Sequence, residues 1–166
     1  MIKQESEIIK SMLGGLENKK ILNIGSSTEE FYKKQQSFIW KNIIKPLKKN
    51  NEFVNLDMKK GKGIDIVADC EDIPVGDETY DVILFTSCIE HLRKPEKALK
   101  EIKRILKKDG FAILSAPGVY PKHNDPIDTM LRFPNKESWE DYLGEEWKII
   151  DYKQTQPEKA KTALQF

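Results

Sequence analysis

No apolar run in this chain is long enough to span a bilayer, and the amino terminus lacks the apolar core of a secretory signal. The formal net charge is only +1, from 28 basic and 27 acidic residues, so the chain as a whole is not attracted to nucleic acid or to an anionic membrane. A basic stripe with interleaved aromatic residues is also absent. We therefore expect a cytoplasmic protein with neither a nucleic-acid nor a membrane partner.

Cysteine and histidine are also scarce, with two residues of each type. Cys70 and Cys88 have no metal-type spacing, and His91 and His123 lie far apart in the sequence, so we predict no metal site. We expect both cysteines to be reduced thiols of a cytosolic protein. The length suits one sizeable core, and we expect residues 1–166 to form a single domain.

Short apolar runs alternate with stretches of helical spacing along most of the chain. We predict strands at 21–24, 53–56, 64–68, 80–85 and 111–115, and helices at 5–16, 29–49, 95–107 and 136–143. This alternation is typical of an α/β protein with a doubly wound, Rossmann-like, mostly parallel sheet. Two more strand candidates, 147–152 and 162–166, predict a C-terminal antiparallel hairpin at one edge.

The segment 20–28 is the most informative in the sequence. An apolar, β-branched run ends at Gly25 and is followed by Ser26 and Ser27, which predicts a buried strand entering a tight loop where backbone can approach a ligand. The next predicted strand ends on the carboxylate of Asp57. In an open α/β sheet this pairing holds a nucleoside, because the loop offers backbone N–H groups and the acid accepts hydrogen bonds from the ribose.

Four later segments resemble a known family in order and spacing. They are Asp-Cys-Glu-Asp-Ile-Pro at 69–74, Tyr-Asp-Val-Ile-Leu at 80–84, Ile-Glu-His-Leu at 89–92, and a segment at 101–110 that ends in Lys-Lys-Asp-Gly. These resemble the acid-plus-Leu-Pro turn, Phe-Asp-Val strand, Leu-Glu-His and Arg-Val-Leu-Lys-Pro-Gly-Gly of the type 11 group of class I methyltransferases. The resemblance covers nearly the whole chain and implies S-adenosyl-L-methionine as the cofactor.

The resemblance also implies roles for residues at the first two strand ends. Gly25, with Ser26 and Ser27, would pass close to the methionine part of the cofactor. Asp57 would hold the ribose diol, and Met58 would pack on the adenine.

Residues at the next two strand ends complete the implied cofactor site. Asp69 would accept a hydrogen bond from the adenine amino group, with the Cys70 N–H facing the ring and Glu71 in the same turn. Thr86 and Ser87 would line the floor beside the sulfonium.

The chain departs from the family in its first loop. The family usually has an acid before the loop and further glycines within it, whereas this chain has Asn23, which we keep in the predicted cofactor-binding set, and Ser27. A side chain at Ser27 would narrow the pocket or weaken binding. The stretch from Gly25 to Asp57 is also longer than the roughly twenty residues of dinucleotide folds, and we expect the extra length around 32–40 to cover the pocket.

The sequence also contains candidate catalytic residues for methyl transfer to an acceptor. Methyl transfer from a sulfonium is an in-line displacement, and an oxygen or nitrogen nucleophile often needs a general base. His123 is our candidate base, Asp128 would orient or replace it, and His91 is a further catalytic candidate. The structural alternative is that His123 and Asp128 only hold an irregular loop to Arg132 and that His91 has a packing role.

Three functions follow from these patterns. The first is an S-adenosylmethionine-dependent methyltransferase acting on a small-molecule or carbohydrate-like acceptor, as a monomer or a homodimer. The second is a degenerate methyltransferase fold serving as a non-catalytic binding or regulatory module, which Asn23 and Ser27 keep open. The third is a nicotinamide-dependent oxidoreductase, which is weak because the first loop lacks Gly-x-Gly-x-x-Gly.

Overall fold

A five-stranded parallel sheet with strand order β3-β2-β1-β4-β5 forms the centre of the molecule. The computed structural model describes residues 1–119, 121–122, 127–155 and the backbone of 164–165. The strands are β1 (Lys20–Ile24), β2 (Glu52–Asp57), β3 (Ile66–Val67), β4 (Tyr80–Thr86) and β5 (Leu106–Ser115). This order confirms the predicted doubly wound α/β sheet, whose direction of winding reverses between β1 and β4.

Helices connect these strands where helical spacing was found in the sequence. They are α1 (Lys3–Met12), α2 (Glu29–Gln35), α3 (Ser37–Ile39), α4 (Lys45–Asn50), α5 (Pro95–Ile105) and α6 (Lys136–Leu143), with a π-helical turn at Trp40–Ile44 and 3-10 turns at Ile89–His91 and Gly144–Glu146. Pro46 stands in the first turn of α4, directly after the π-helical turn, and the backbone stays helical through Ile44 and Lys45. In the described part of the chain, no helix has the length and apolar character to cross a membrane.

The sheet separates two apolar cores, as the side-chain alternation of buried strands requires. In β4, Ile83 and Phe85 pack with α5 on one face, whereas Val82 and Leu84 pack with α1 and the helices that follow β1 on the other. Both faces of the central strands are therefore covered. This double covering leaves the carboxyl ends of the strands as the place where a ligand can reach the sheet.

The predicted C-terminal hairpin is wrong in its pairing. Residues 147–152 have no strand structure, and the described C-terminal strand, β7 (Leu164–Gln165), pairs antiparallel with β6 (Pro117–Val119) in a separate two-stranded sheet. Trp147 and Ile149 still pack against the apolar core, while Ile150 is exposed. The alternating pattern therefore reported correctly which side chains are buried, but such a pattern carries no information about the hydrogen-bonding partner of the backbone.

The extra residues between β1 and β2 do not cover the strand ends as we expected. Ile39, Ile43 and Ile44 are buried against the sheet face in the core that also holds α1, because the π-helical turn keeps this segment helical and amphipathic. Tyr32, in α2, is the residue of this stretch that reaches back to the first loop. Most of the added length therefore builds core.

A groove of about 950 Å³ runs along the free edge of β5, between α1 and residues 147–153. Its walls include Phe111 and Ile113 of β5 together with Ile8 and Met12 of α1. This groove follows the sheet edge and does not include the loop after β1. At one end it reaches Ser115, the last residue of β5, and Glu5 of α1.

Candidate functional site

The register of the sheet brings the predicted binding residues to one edge. Ile24, the last residue of β1, lies opposite Leu56 of β2 on one side and Phe85 of β4 on the other. Neighbouring strands are about 4.8 Å apart, so the residues that follow these positions begin at adjacent points of the edge. The Ser26 N–H donates to the carbonyl of Leu56 at 3.1 Å and fastens the first loop to the end of β2.

Gly25 makes the first loop possible in two ways. Its φ is +68°, in the left-handed region that glycine adopts without a steric penalty. A Cβ at this position would also overlap the Sγ of Cys88, which packs on the loop and lies 3.6 Å from the Ile24 carbonyl oxygen. Gly25 is nevertheless exposed on its other side. Both the left-handed backbone conformation and the close packing of Cys88 therefore require glycine at this position. The absence of a side chain leaves one side of the loop open.

The loop N–H groups are less available than the sequence predicted. Ser26 is buried, and both its N–H and its hydroxyl are directed to the Leu56 carbonyl. The Ser27 N–H donates to the hydroxyl of Tyr32 at 2.9 Å. Two of the donors that we expected to face a ligand are thus already bonded within the protein.

Tyr32 is the residue near the loop that sequence analysis missed. Its side chain is buried, and burial raises the pKa of its phenol, while hydrogen bonds with the Ser27 N–H and the Asn23 side chain partly offset this effect. Tyr32 stands one helical turn after Thr28, whose side chain caps α2 by accepting from the Phe31 N–H. A tyrosine in the first turn after a glycine loop is the sequence signal that could have identified it.

Asp57 lies beside this cluster with part of its carboxylate available. Its Oδ1 accepts a hydrogen bond from the Lys59 N–H at 2.7 Å, which fixes the side chain at the end of β2. Across the described residues, Oδ2 makes no hydrogen bond or ion pair. Met58, the predicted adenine contact, is 67% exposed next to it. An anchored carboxylate with one unengaged oxygen is suited to accept hydrogen bonds from a diol.

Asp69 repeats this arrangement at the end of β3. Its Oδ1 accepts from the Glu71 N–H at 2.9 Å, and the carboxylate also has a hydrogen bond with the Cys70 thiol. Cys70 is buried, and burial raises the pKa of its thiol to about 12, so it stays protonated at neutral pH. Asp69 is thus an exposed acceptor, and the Cys70 thiol is a packing group rather than a nucleophile.

Asn23 is directed into the sheet rather than into solvent. Its side-chain amide donates to Oδ1 of Asn55 at 3.0 Å, and the Asn55 amide donates in turn to the Gly63 carbonyl at 2.9 Å. Both asparagines are buried, so this pair satisfies polar groups between β1 and β2. An acid at position 23 would bring a negative charge into this buried amide pair.

The ends of β4 and β5 are joined by hydrogen bonds that the sequence did not predict. Ser87, at a φ of +51°, donates its N–H to the hydroxyl oxygen of Ser115 at 3.0 Å, and the Ser115 hydroxyl donates to Glu5 of α1. Glu5 is buried, and burial raises the pKa of its carboxyl. Thr86 and Ser87 thus lie at the strand end as predicted, under the first turn of α1.

His91 and Asp128 lie on opposite sides of a loop that covers the β4 end. The His91 Nδ1 is 3.1 Å from the Ile127 carbonyl oxygen, and the N–H and hydroxyl of Thr129 both donate to the Glu90 carbonyl. The Asp128 carboxylate is fully buried and receives two hydrogen bonds from Arg132, one of them at 2.9 Å. This geometry matches the structural alternative for both residues, while His123 lies outside the described residues.

The residues at this edge fit an adenosyl cofactor. The backbone at Gly25 is bare and exposed, Asp57 presents an unengaged carboxylate oxygen at the end of β2, and the exposed carboxylate of Asp69 follows the end of β3. Hydroxyl and amino donors are what such oxygens bind, and a nucleoside carries both. The open side of the site therefore has acceptors for the donors of a nucleoside.

Comparisons with known proteins identify the family of the chain. A methyltransferase domain of the type 11 group matches residues 23–114, more than half of the chain. An uncharacterized protein of Methanocaldococcus jannaschii is 34% identical over 93 residues, which are 56% of this chain and 42% of that protein. The chain therefore spans less than half the length of this curated relative.

Two solved structures share the fold over nearly the entire chain. A SAM-dependent methyltransferase from Leishmania major has a TM-score of 0.67 at 16% identity, covering 98% of this chain and 68% of that one. The 1,6-didemethyltoxoflavin-N1-methyltransferase of Burkholderia thailandensis, solved with S-adenosylhomocysteine bound, has a TM-score of 0.66 at 12% identity, covering 98% and 75%. At these identities the similarity shows the fold.

The chain belongs to the type 11 methyltransferase-domain family and has the Rossmann-like fold of class I methyltransferases. Its cofactor is S-adenosylmethionine.

Proposed function

We propose that this protein transfers a methyl group from S-adenosylmethionine to a small-molecule or carbohydrate-like acceptor. The observation that carries the proposal is the Asp57 carboxylate, which has one oxygen fixed by a backbone N–H and one unengaged, beside the bare backbone of Gly25 and with the exposed Asp69 carboxylate after the next strand. Nearly balanced surface charge argues against a nucleic-acid acceptor.

The cofactor-binding residues divide by chemistry. Asp57 accepts from the ribose hydroxyls through Oδ2, and exposed Met58 packs on the adenine. Asp69 accepts from the adenine amino group, with the Cys70 N–H and Glu71 in the same turn. Thr86 and Ser87 form the floor on the β4 side, and the bound cofactor supplies an electrophilic methyl group there.

The part of the site that holds the methyl acceptor orients the nucleophile and excludes water. Asp128 contributes by holding Arg132 and the loop that covers the β4 end, since both of its oxygens are already bonded. His91 fixes the same loop through Ile127. His123 remains our candidate for the general base, because a histidine titrates near neutral pH and belongs to this segment.

Calorimetric titration with S-adenosylmethionine, S-adenosylhomocysteine and NAD tests the proposal. We expect the first two to bind and NAD not to bind. Asp57→Ala should weaken binding of both adenosyl ligands by about a hundredfold, since it removes charge-assisted hydrogen bonds to the ribose. Asp109→Ala is the matched control, because Asp109 is an exposed aspartate on β5 before the buried part of that strand.

The outcomes separate the three functions. Binding without turnover across a broad panel of acceptors would favour the non-catalytic module. Binding of NAD in preference to the adenosyl ligands would favour the oxidoreductase. An Asp57→Ala variant that is folded and binds S-adenosylhomocysteine as well as the wild type would contradict the proposed site.

A further inference from the structure

Arg104 of α5 belongs to the last of the four family-like segments, yet none of the cofactor contacts proposed above uses it. Its guanidinium is bonded to residues 68–79, a fully described stretch between β3 and β4 that contains no helix or strand. It donates to the carbonyl of Ile73 at 3.0 Å, to the carbonyl of Val75 at 2.8 Å and to Oδ1 of Asp77 at 2.7 Å. One side chain of α5 therefore holds three residues of a stretch without regular secondary structure.

Glu101 completes this attachment from one turn earlier in α5. Its Oε2 accepts from the Ile73 N–H at 2.9 Å, so both backbone groups of Ile73 are bonded to side chains of α5. Arg104 donates to both oxygens of Glu101 at 2.8 Å, and this pairing lowers the pKa of the Glu101 carboxyl. Because a guanidinium is planar, carboxylates on two of its edges fix the direction of its remaining N–H groups.

The residue held by α5 directly follows the turn that carries Asp69, the proposed acceptor of the adenine amino group. The Asp69 carbonyl accepts from the Asp72 N–H at 3.1 Å, and Ile73 is the next residue. The exposed Asp69 carboxylate accepts from the Glu71 N–H and has a hydrogen bond with the Cys70 thiol. Since a carboxylate offers about four acceptor positions, it can still accept from a ligand.

The turn is attached to the rest of the fold on both sides of Asp69. Before it, the Ala68 N–H donates to the Asp57 carbonyl at 3.1 Å, which ties the turn to the end of β2. After it, Arg104 and Glu101 hold Ile73. Apolar burial of the turn is non-directional, whereas hydrogen bonds fix the orientation of the backbone. Loss of the second attachment would leave the carboxylate free to turn about the first.

We propose that Arg104 is a positioning residue of the cofactor site, which with Glu101 fixes the turn that directs the Asp69 carboxylate to the adenine amino group. This inference rests on the proposed function, because it assumes an adenosyl ligand whose adenine lies at Asp69. Arg104 acts through Asp69 and does not touch the ligand. The preference for adenine over a purine without the amino group therefore depends on a side chain of α5.

Calorimetry with two ligands tests the proposal. The ligands are S-adenosylhomocysteine and its analogue with unsubstituted purine in place of adenine, which differs only in lacking the amino group. We expect the wild type to bind S-adenosylhomocysteine about tenfold to a hundredfold more tightly than the analogue, through the hydrogen bond to Asp69. Arg104→Met should weaken S-adenosylhomocysteine by about tenfold and change the analogue by less than about twofold.

Three further variants separate positioning from stability. Lys103→Met is the matched control, because Lys103 is the neighbouring residue of α5 and pairs with Glu146, and it should change neither affinity. Arg104→Lys keeps the charge but has one nitrogen in place of three, so it should lose the same preference for adenine. In an Asp69→Ala background, Arg104→Met should change binding of S-adenosylhomocysteine by less than about twofold, since no carboxylate is left to position.

Every other result overturns the proposal. Equal weakening of both ligands, a full effect of Arg104→Met in the Asp69→Ala background, or failure of both Arg104 variants to fold would assign Arg104 to stability alone. Unchanged affinities in the folded variants would show that Asp69 needs no support from α5. A wild type that binds both ligands equally would overturn this inference and leave the adenosyl site standing, whereas a wild type that binds neither would overturn the proposed function as well.

Discussion

The two halves of the strand edge differ in how their polar groups are satisfied. On the β1–β2–β3 side, Asp57 keeps one unengaged carboxylate oxygen, and Asp69 and Gly25 are exposed. On the β4–β5 side, the Ser115 hydroxyl accepts a hydrogen bond from the Ser87 N–H and donates one to Glu5. Arg132 donates hydrogen bonds to both oxygens of Asp128. The first half presents acceptors to a ligand, and the second directs its polar groups toward one another.

This difference explains why the cofactor can be inferred more readily than the acceptor. Unengaged, anchored oxygens specify the donors of their ligand by position and chemistry. Internally bonded groups specify only the shape of the protein around them. The predictions below ask whether the two halves are as independent as their hydrogen bonding indicates.

The largest effect should come from breaking the buried ion pair on the β4–β5 side. Arg132→Met leaves the fully buried Asp128 carboxylate without its guanidinium and should lower the free energy of unfolding by about 3–5 kcal/mol. Urea denaturation measures this loss, and titration of the folded variant with S-adenosylhomocysteine should show nearly wild-type affinity. A loss of affinity comparable to that of Asp57→Ala would show that the two halves are coupled.

A smaller loss is expected from the first loop. Gly25→Ala places a side chain at a φ of +68° and against the Cys88 Sγ, which should cost at least about 2 kcal/mol of unfolding free energy. The double variant Gly25→Ala with Cys88→Ala removes the overlap and should recover part of the loss in urea denaturation. If the double variant recovers nothing, the backbone conformation alone accounts for the requirement for glycine.

The smallest effect concerns Glu5 and depends on pH. Burial raises the pKa of Glu5 in the folded state. The contribution of Glu5 to the free energy of unfolding is therefore fully present below the pKa of an exposed glutamate. It is lost as the pH rises through the raised value. Glu5→Gln cannot ionise, so its free energy of unfolding should exceed that of the wild type at pH 8 and approach it at pH 4. Parallel stability curves for the two proteins would contradict a buried, proton-binding Glu5.

Most of the fold could be predicted from local patterns. The five parallel strands and the helix Lys136–Leu143 follow from apolar spacing. The pairing of residues 147–152 could not, because alternation shows which side chains are buried without showing where the backbone finds a partner.

The site was predictable where a residue type has one specific task at a strand end. Gly25, Asp57 and Asp69 are such residues, and all three lie at the carboxyl edge. The covering of Ser27 by Tyr32 and the burial of Glu5 against Ser115 depend on how helices pack over the edge. Contacts between elements distant in the sequence leave no periodic signal, so they required the structure.

A crystal structure with S-adenosylhomocysteine tests the central claim most directly. The account predicts the ribose hydroxyls on Asp57 Oδ2 and the adenine beside Asp69 and Met58. A ligand that is seated in the groove along β5, or whose ribose lies away from Asp57, would contradict it.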